Sequence, residues 1–165
     1  MPRPSRWNEI IEAAAEAFRT NGFAATSLED IASAVGMWKG SLYHYINSKE
    51  DLLFAVVRGP AEEILNSLNQ IVNRIHLVDP QTEIILIGAK PSPSRWEKKE
   101  AYLTFNRLLS TYCEQKENVD YLDTWKALTD SSGSPRPELY IKDQLHLNEA
   151  GYKIWEQIFV PFFAK

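Results

Sequence analysis

GFAATSLEDIASAVGMWKGSLYHYINSKEDLL, residues 22–53, is the stretch whose reading decides the fold. Ser27 stands just before Leu28, Glu29 and Asp30, where its hydroxyl can accept from exposed helix amides and two carboxylates oppose the positive helix end. A short helix is therefore predicted over 28–34. Val35-Gly36-Met37 follows as a turn, with glycine supplying the backbone freedom for a sharp change of direction. Lys39 to Tyr45 read as a second, very short helix, and Asn47-Ser48 as the cap of another that starts at Lys49. Ile31, Ala32, Val35, Leu42 and Ile46 fall where the helices meet. The opposite face of the 39–45 helix is left free.

Outward toward the amino terminus, Ile10, Ile11, Ala14, Ala17 and Phe18 recur at helical spacing, with Glu9, Glu12, Glu16 and Arg19 on the other side. This predicts an amphipathic helix over 6–20, ended by Asn21-Gly22. In the other direction, the helix from Lys49 carries Leu52, Leu53, Val56 and Val57 inward and meets Gly59-Pro60, which should kink or end it. A further helix is expected from Ala61 to about Leu77. The period then changes. Glu83 to Gly88 is a short continuous apolar run of the kind a buried parallel strand shows. PSPSRW reads as a loop, 97–116 as an amphipathic helix and 119–123 as a second strand, which together make a strand-helix-strand unit. A Ser/Gly/Pro-rich loop over 130–137 precedes a last helix, capped by Asn148 and running from Glu149 to about Phe159, before Pro161.

Composition narrows the function classes. The 165 residues are 44% hydrophobic, enough for one ordinary domain or two small ones, and the formal charge is −4. A negative chain has no global pull toward nucleic acid, so such binding must come from a local patch. Cys113 is the only cysteine, which excludes an intrachain disulfide and a cysteine-based structural zinc site and suits a reducing, cytoplasmic setting. His44, His76 and His146 are widely separated, with no ligand spacing between them, so no metal site and no cofactor is expected. MPRPSRWNEI has basic residues but no apolar stretch behind them, and no membrane span is expected.

Gly22-Phe23, Thr26-Ser27, Ile31-Ala32, Val35-Gly36, Gly40, Leu42-Tyr43 and Ser48-Lys49 appear together and in order. In this the segment resembles the helix-turn-helix DNA-binding domain of the tetracycline-repressor family, over about residues 6–57. The resemblance implies that Ser27, Trp38, Lys39, Ser41, Tyr43, His44 and Lys49 lie along the DNA side. Lys39, Lys49 and the Tyr43 hydroxyl would meet phosphates, while Trp38, Ser41 and His44 are candidates for base edges. Trp38 stands where the family usually has a small capping hydroxyl residue. Its ring either contacts a thymine methyl or sugar, or packs on the side of the first helix. Ile46 replaces a usual aromatic residue, which core packing tolerates.

TEIILIGAKPSPSRW, NVDYLDTW and PRPELYIKDQLHLNEAGYKIW resemble the final two strands and last helix of an SGNH (GDSL-type) hydrolase, over about residues 66–165. A carboxylate three residues before a histidine can fix that ring's tautomer and orientation. The resemblance makes His146 a general base and Asp143 its orienting partner. The family's earlier blocks, which carry the serine nucleophile and the oxyanion donors, are missing. Ser92 and Ser94 belong to the PSPSRW loop, and Ser131, Ser132 and Ser134 to a polar turn, so no nucleophile is assigned. The expected fold class is mixed: an all-α helix-turn-helix bundle over residues 1–60, then a partial α/β (flavodoxin-like) segment over 61–165 with about two parallel strands and flanking helices, the seam falling at about 58–71. With so few strands, either the helices wrap the sheet or its open edge pairs with another copy. The functional expectation is a DNA-binding transcriptional regulator, sequence-specific only as a homodimer. The alternative is an esterase or acyl hydrolase relative acting on small esters.

Overall fold

The computed structural model describes residues 5–163, so the first four residues of the MPRPSRWNEI stretch lie outside the described residues. Among the described residues no helix is long and apolar enough to cross a membrane. The chain forms two compact units, Met1–Asn66 and Ser67–Lys165, and its fold is mixed: a helical bundle, then a partial α/β segment built on a two-stranded parallel sheet.

In the first unit, α1 (Arg6–Ala25), α2 (Leu28–Ala34), α3 (Lys39–Leu42) and the start of α4 (Lys49–Val78) surround one core. Ile10, Ala14, Ile31, Ala32, Leu42, Ile46 and Leu52 are buried there, with Val35 packed against them. The five residues expected to hold the helices together therefore do so. α1 reaches Ala25 instead of stopping at Thr20, but Gly22 inside it is non-helical, at φ 78° and ψ 158°. The expected break is present, and one more turn follows it. The Thr26 hydroxyl then donates to the carbonyls of Gly22 at 2.8 Å and Ala17 at 3.1 Å, closing the end of α1. Gly36 takes φ 63° in the turn after α2, a left-handed conformation that an L side chain rarely adopts.

α3 is shorter than expected. It ends at Leu42, and Tyr43 to Tyr45 form a tight turn with Tyr45 N–H bonded to the Leu42 carbonyl at 2.8 Å. At its start Trp38 supplies no side-chain cap. A four-residue helix cannot make up for that loss through its own hydrogen bonds.

Gly59-Pro60 does not end α4, which continues to Val78 with Pro60 inside it. Tertiary burial holds the helix on both sides of the proline: Leu52 and Leu53 before it, Ala61 and Val72 after it. An Arg58–Glu62 ion pair at 2.6 Å also spans the proline. α6 (Glu149–Phe163) also continues four residues past its expected end with Pro161 inside it, although Val160 and Phe163 are exposed there.

In the second unit, β1 (Ile84–Ile87) pairs in parallel with β2 (Val119–Leu122), Ile84 opposite Val119 and Ile87 opposite Leu122. The connection is not a plain loop and helix. Pro93–Lys98 is a 3₁₀ turn, and α5 (Lys99–Glu114) begins and ends about two residues inside the expected range. The strands pack through Val119, Ile84, Leu86 and Tyr121 against Val72 and Cys113. A second cluster, Leu128, Leu139, Tyr140 and Leu147, lies under Ile154 and Trp155 of α6. Asn148 caps α6 as expected, its side chain accepting from Gly151 N–H at 3.1 Å.

Candidate functional site

The residues ahead of α3 decide how it is presented. The Ser27 hydroxyl accepts from Asp30 N–H at 3.2 Å, while the Asp30 carboxylate accepts from Ser27 N–H at 2.9 Å and from the Ser27 hydroxyl at 2.7 Å. This closed capping box fixes the start of α2. The hydroxyl bonds also hold the Asp30 carboxyl below its usual range. Ser27 is thus committed to the cap on both its donor and acceptor sides.

Arg6 reaches across from α1, donating to the Val35 carbonyl at 2.7 Å and pairing with Glu9 at 2.6 Å. It pins the turn that aims α3. At the other end, the rings of Trp7 and Tyr45 stack with centroids 6.2 Å apart, so Tyr45 turns back toward α1. With both ends held, Trp38, Lys39, Tyr43 and His44 are exposed and Ser41 is half-buried. Trp38 is 83% exposed, which removes the alternative in which it packs on the first helix.

Lys49 does not join this face in the way expected of a phosphate contact. Its ammonium donates to the carbonyls of Phe23 at 2.7 Å, Thr26 at 2.9 Å and Ala24 at 3.5 Å. It also lies 4.3 Å from the centroid of the Phe23 ring. All three donors of the group are used inside the bundle, so Lys49 ties α4 to the end of α1. Arg6 was missed by sequence reading, since nothing local marks an arginine at the start of α1 as the partner of a carbonyl 29 residues on.

In the second unit, His146 Nδ1 and Asp143 Oδ2 lie 2.6 Å apart. The same aspartate accepts from the backbone N–H groups of Leu145 at 2.8 Å and His146 at 2.9 Å. Its carboxyl is held down to about 2, first by the His146 ring and then by those two amides. The expected pair is assembled and solvent-exposed. The serines are placed otherwise. Ser132 donates to Asp130 at 2.6 Å, Ser134 meets the Ser132 hydroxyl at 3.2 Å, and Ser92 is buried. Among the described residues, no group of three or more His, Cys, Asp or Glu side chains could hold a metal ion.

Comparison with known proteins separates the same two regions. Residues 10–56 match the family model of bacterial regulatory proteins, tetR family, and residues 51–154 match that of the GDSL-like lipase/acylhydrolase family. The HTH-type transcriptional repressor KstR2 of Rhodococcus jostii (strain RHA1) is 36% identical over 70 residues, 42% of this chain and 34% of that protein. The HTH-type transcriptional regulator UidR of Escherichia coli (strain K12) is 34% identical over 84 residues, 51% of this chain and 42% of that protein. The chain thus spans well under half the length of these curated relatives. Among solved structures, one described as a candidate platelet activating factor from Streptococcus pneumonia matches with a TM-score of 0.56 and 27% identity, over 62% of this chain and 51% of that one. The chain belongs to the GDSL-like lipase/acylhydrolase family over residues 51–154, and residues 10–56, overlapping that region at 51–56, are similar to the tetR family of bacterial regulatory proteins.

Proposed function

We propose that this protein is a DNA-binding transcriptional regulator whose headpiece, residues 1–60, seats α3 in the major groove, and that residues 61–165 form a hydrolase-like segment that no longer catalyses. Lys39 and the Tyr43 hydroxyl meet phosphates, and Trp38, Ser41 and His44 face base edges. Lys49 and Ser27 act from behind as positioning residues. One observation carries the reading: α3 is braced at both ends by Arg6 and by the Trp7–Tyr45 stack while its outer side chains stand in solvent. Sequence-specific binding needs two such headpieces, so the acting species is a homodimer. The lone buried cysteine suits a cytoplasmic site of action.

The test is a salt series on duplex DNA. Affinity should fall as salt rises, and Lys39→Ala should reduce the log–log slope by about 0.9 for each phosphate that the lysine had neutralised. A slope identical to wild type removes Lys39 from the interface, and no binding at low salt removes the reading.

The assembled Asp143–His146 pair favours a second reading, residual hydrolysis of small esters. Turnover of p-nitrophenyl acetate that disappears in His146→Ala would support it. Equal background rates in both proteins would end it.

A further inference from the structure

A stripe of apolar side chains runs along the carboxyl-terminal half of α4, within the second unit. Leu68, Ile71, Ile75 and Val78 follow one another at steps of three, four and three residues, which is the a/d spacing of a coiled coil. Ile71 is 55% exposed and Val78 87%, while Leu68 and Ile75 are half-buried. The helix face beside them is already used. Val72 is buried with Cys113 and Val119, Asn69 accepts from the Tyr112 hydroxyl at 3.3 Å, and the His76 ring nitrogen meets the Thr82 carbonyl at 2.9 Å. The stripe is therefore a second apolar face on a helix whose first face is spent. It opens on a groove of about 490 Å³ lined by Ile71, Arg74, Ile75, Val78, Asp79 and Thr82.

Charge selects the occupant. With Leu68 and Ile75 at a, and Ile71 and Val78 at d, Arg74 occupies g. Asp79, one residue past the helix end, keeps helical register through its N–H to the Ile75 carbonyl at 3.0 Å and takes the following e, its carboxylate also accepting from Gln81 N–H and the Thr82 hydroxyl. In a parallel pair, the g residue of one helix meets the e residue five positions on in the other. Arg74 would then face the second copy's Asp79, and symmetry forms that pair twice. An antiparallel pair would match g with g and bring two guanidinium groups together.

We propose that the carboxyl-terminal half of α4 pairs with the same segment of a second copy as a short parallel coiled coil, with Leu68, Ile71, Ile75 and Val78 as its seam and Arg74–Asp79 as its flanking ion pairs. The seam is two heptads long, and β-branched residues at d pack less well in a parallel pair than leucine does, so dimer and monomer exchange with concentration. This gives the homodimer that DNA recognition requires a surface of its own. The pairing is measured without DNA, so its failure leaves the headpiece reading standing, and failure of DNA binding leaves the pairing standing.

Sedimentation equilibrium of the full chain over a concentration series tests it. A monomer–dimer equilibrium is expected. Ile71→Asp should return the chain to monomer with an unchanged far-ultraviolet circular dichroism spectrum. Arg74→Glu should weaken dimerisation roughly tenfold by setting two acidic groups opposite each other twice, and Arg74→Glu with Asp79→Lys should recover it. Ile71→Cys should give a disulfide-linked dimer on oxidation, because d positions face their own copies only when the helices run parallel; wild type, with Cys113 buried, should not. A monomer at every concentration overturns the proposal, as does a dimer indifferent to both Ile71→Asp and Arg74→Glu. If Ile71→Asp unfolds, the charge pair and the cross-link decide, and failure of both overturns it.

Discussion

Removing the Lys49 ammonium leaves the carbonyls of Phe23 and Thr26, now held at 2.7 and 2.9 Å, without their donor at the joint between α1 and α2. Hydrogen bonds to a charged group are each worth about 1.5–3 kcal/mol, and unmet buried acceptors cost a similar amount. Lys49→Met should therefore destabilise the headpiece by about 2 kcal/mol in denaturant titrations, and leave the salt slope of DNA binding unchanged at temperatures where the variant is folded. A reduced slope with full stability would return Lys49 to the phosphate contacts. Sequence reading singled out Lys49 for a phosphate contact, and the structure gives its ammonium three backbone carbonyls. A positive charge near a recognition helix is visible in the sequence; the convergence of three carbonyls 23 to 26 residues earlier is a product of the finished fold. Asp143 was legible because its partner lies only three residues away. Its folded pKa of about 2 lies below the ordinary value of 3.8. The interaction is thus complete above about pH 4 and is lost as pH falls through about 2. In His146→Ala the first cause of the shift disappears while the Leu145 and residue-146 amides remain. The carboxyl midpoint, followed by carbon-detected NMR, should rise part of the way toward 3.8. A midpoint that does not move would mean that the backbone amides alone hold the charge.

At the scale of elements, capping residues and apolar periods were enough to place α1, α2, the strands and α6. One error arose where a local signal met long-range burial. Gly59-Pro60 has the chemistry of a helix stop, yet Leu53 and Ala61 on either side of it are buried and keep the helix running. The proline still lacks the N–H that would bond to the carbonyl four residues earlier. Pro60→Ala should restore that bond and stabilise the chain by on the order of 2 kcal/mol: a helix-interior proline costs about 3 kcal/mol, less the roughly 0.4–1 kcal/mol by which proline restricts the unfolded chain. Denaturant unfolding with unchanged helix content checks this. No gain would mean that α4 bends at Pro60 in a way its neighbours require. α3 shows the opposite balance, with burial at Leu42 and no cap at Trp38. Trp38→Ser should add the missing cap, worth about 0.5–2 kcal/mol. If the exposed indole contacts DNA, the same change should weaken binding while raising stability. Weaker binding with unchanged stability would leave the DNA role of Trp38 and remove the capping argument.

For the whole molecule, the proposed function asks how a chain of formal charge −4 would hold a polyanion at a chosen sequence. One headpiece offers Lys39 and few other cations, so at physiological salt a single copy should bind duplex at roughly 10⁻⁴ to 10⁻⁶ M with little sequence preference. Specificity must come from joining two. Linking two weak sites raises the effective concentration of the second on the DNA to the millimolar range for short connections, provided the half-sites lie one helical turn, about 34 Å, or a multiple of it apart. Binding to a duplex carrying two half-sites should therefore steepen with protein concentration, and Ile71→Asp should lower it to the level of one half-site. Half-site affinity itself should not move, because Ile71 lies in the second unit, outside the headpiece. If Ile71→Asp leaves two-site binding intact, the copies meet through another surface. The open edge of the β1–β2 sheet, where Ile87 is 41% exposed, is then the next place to mutate.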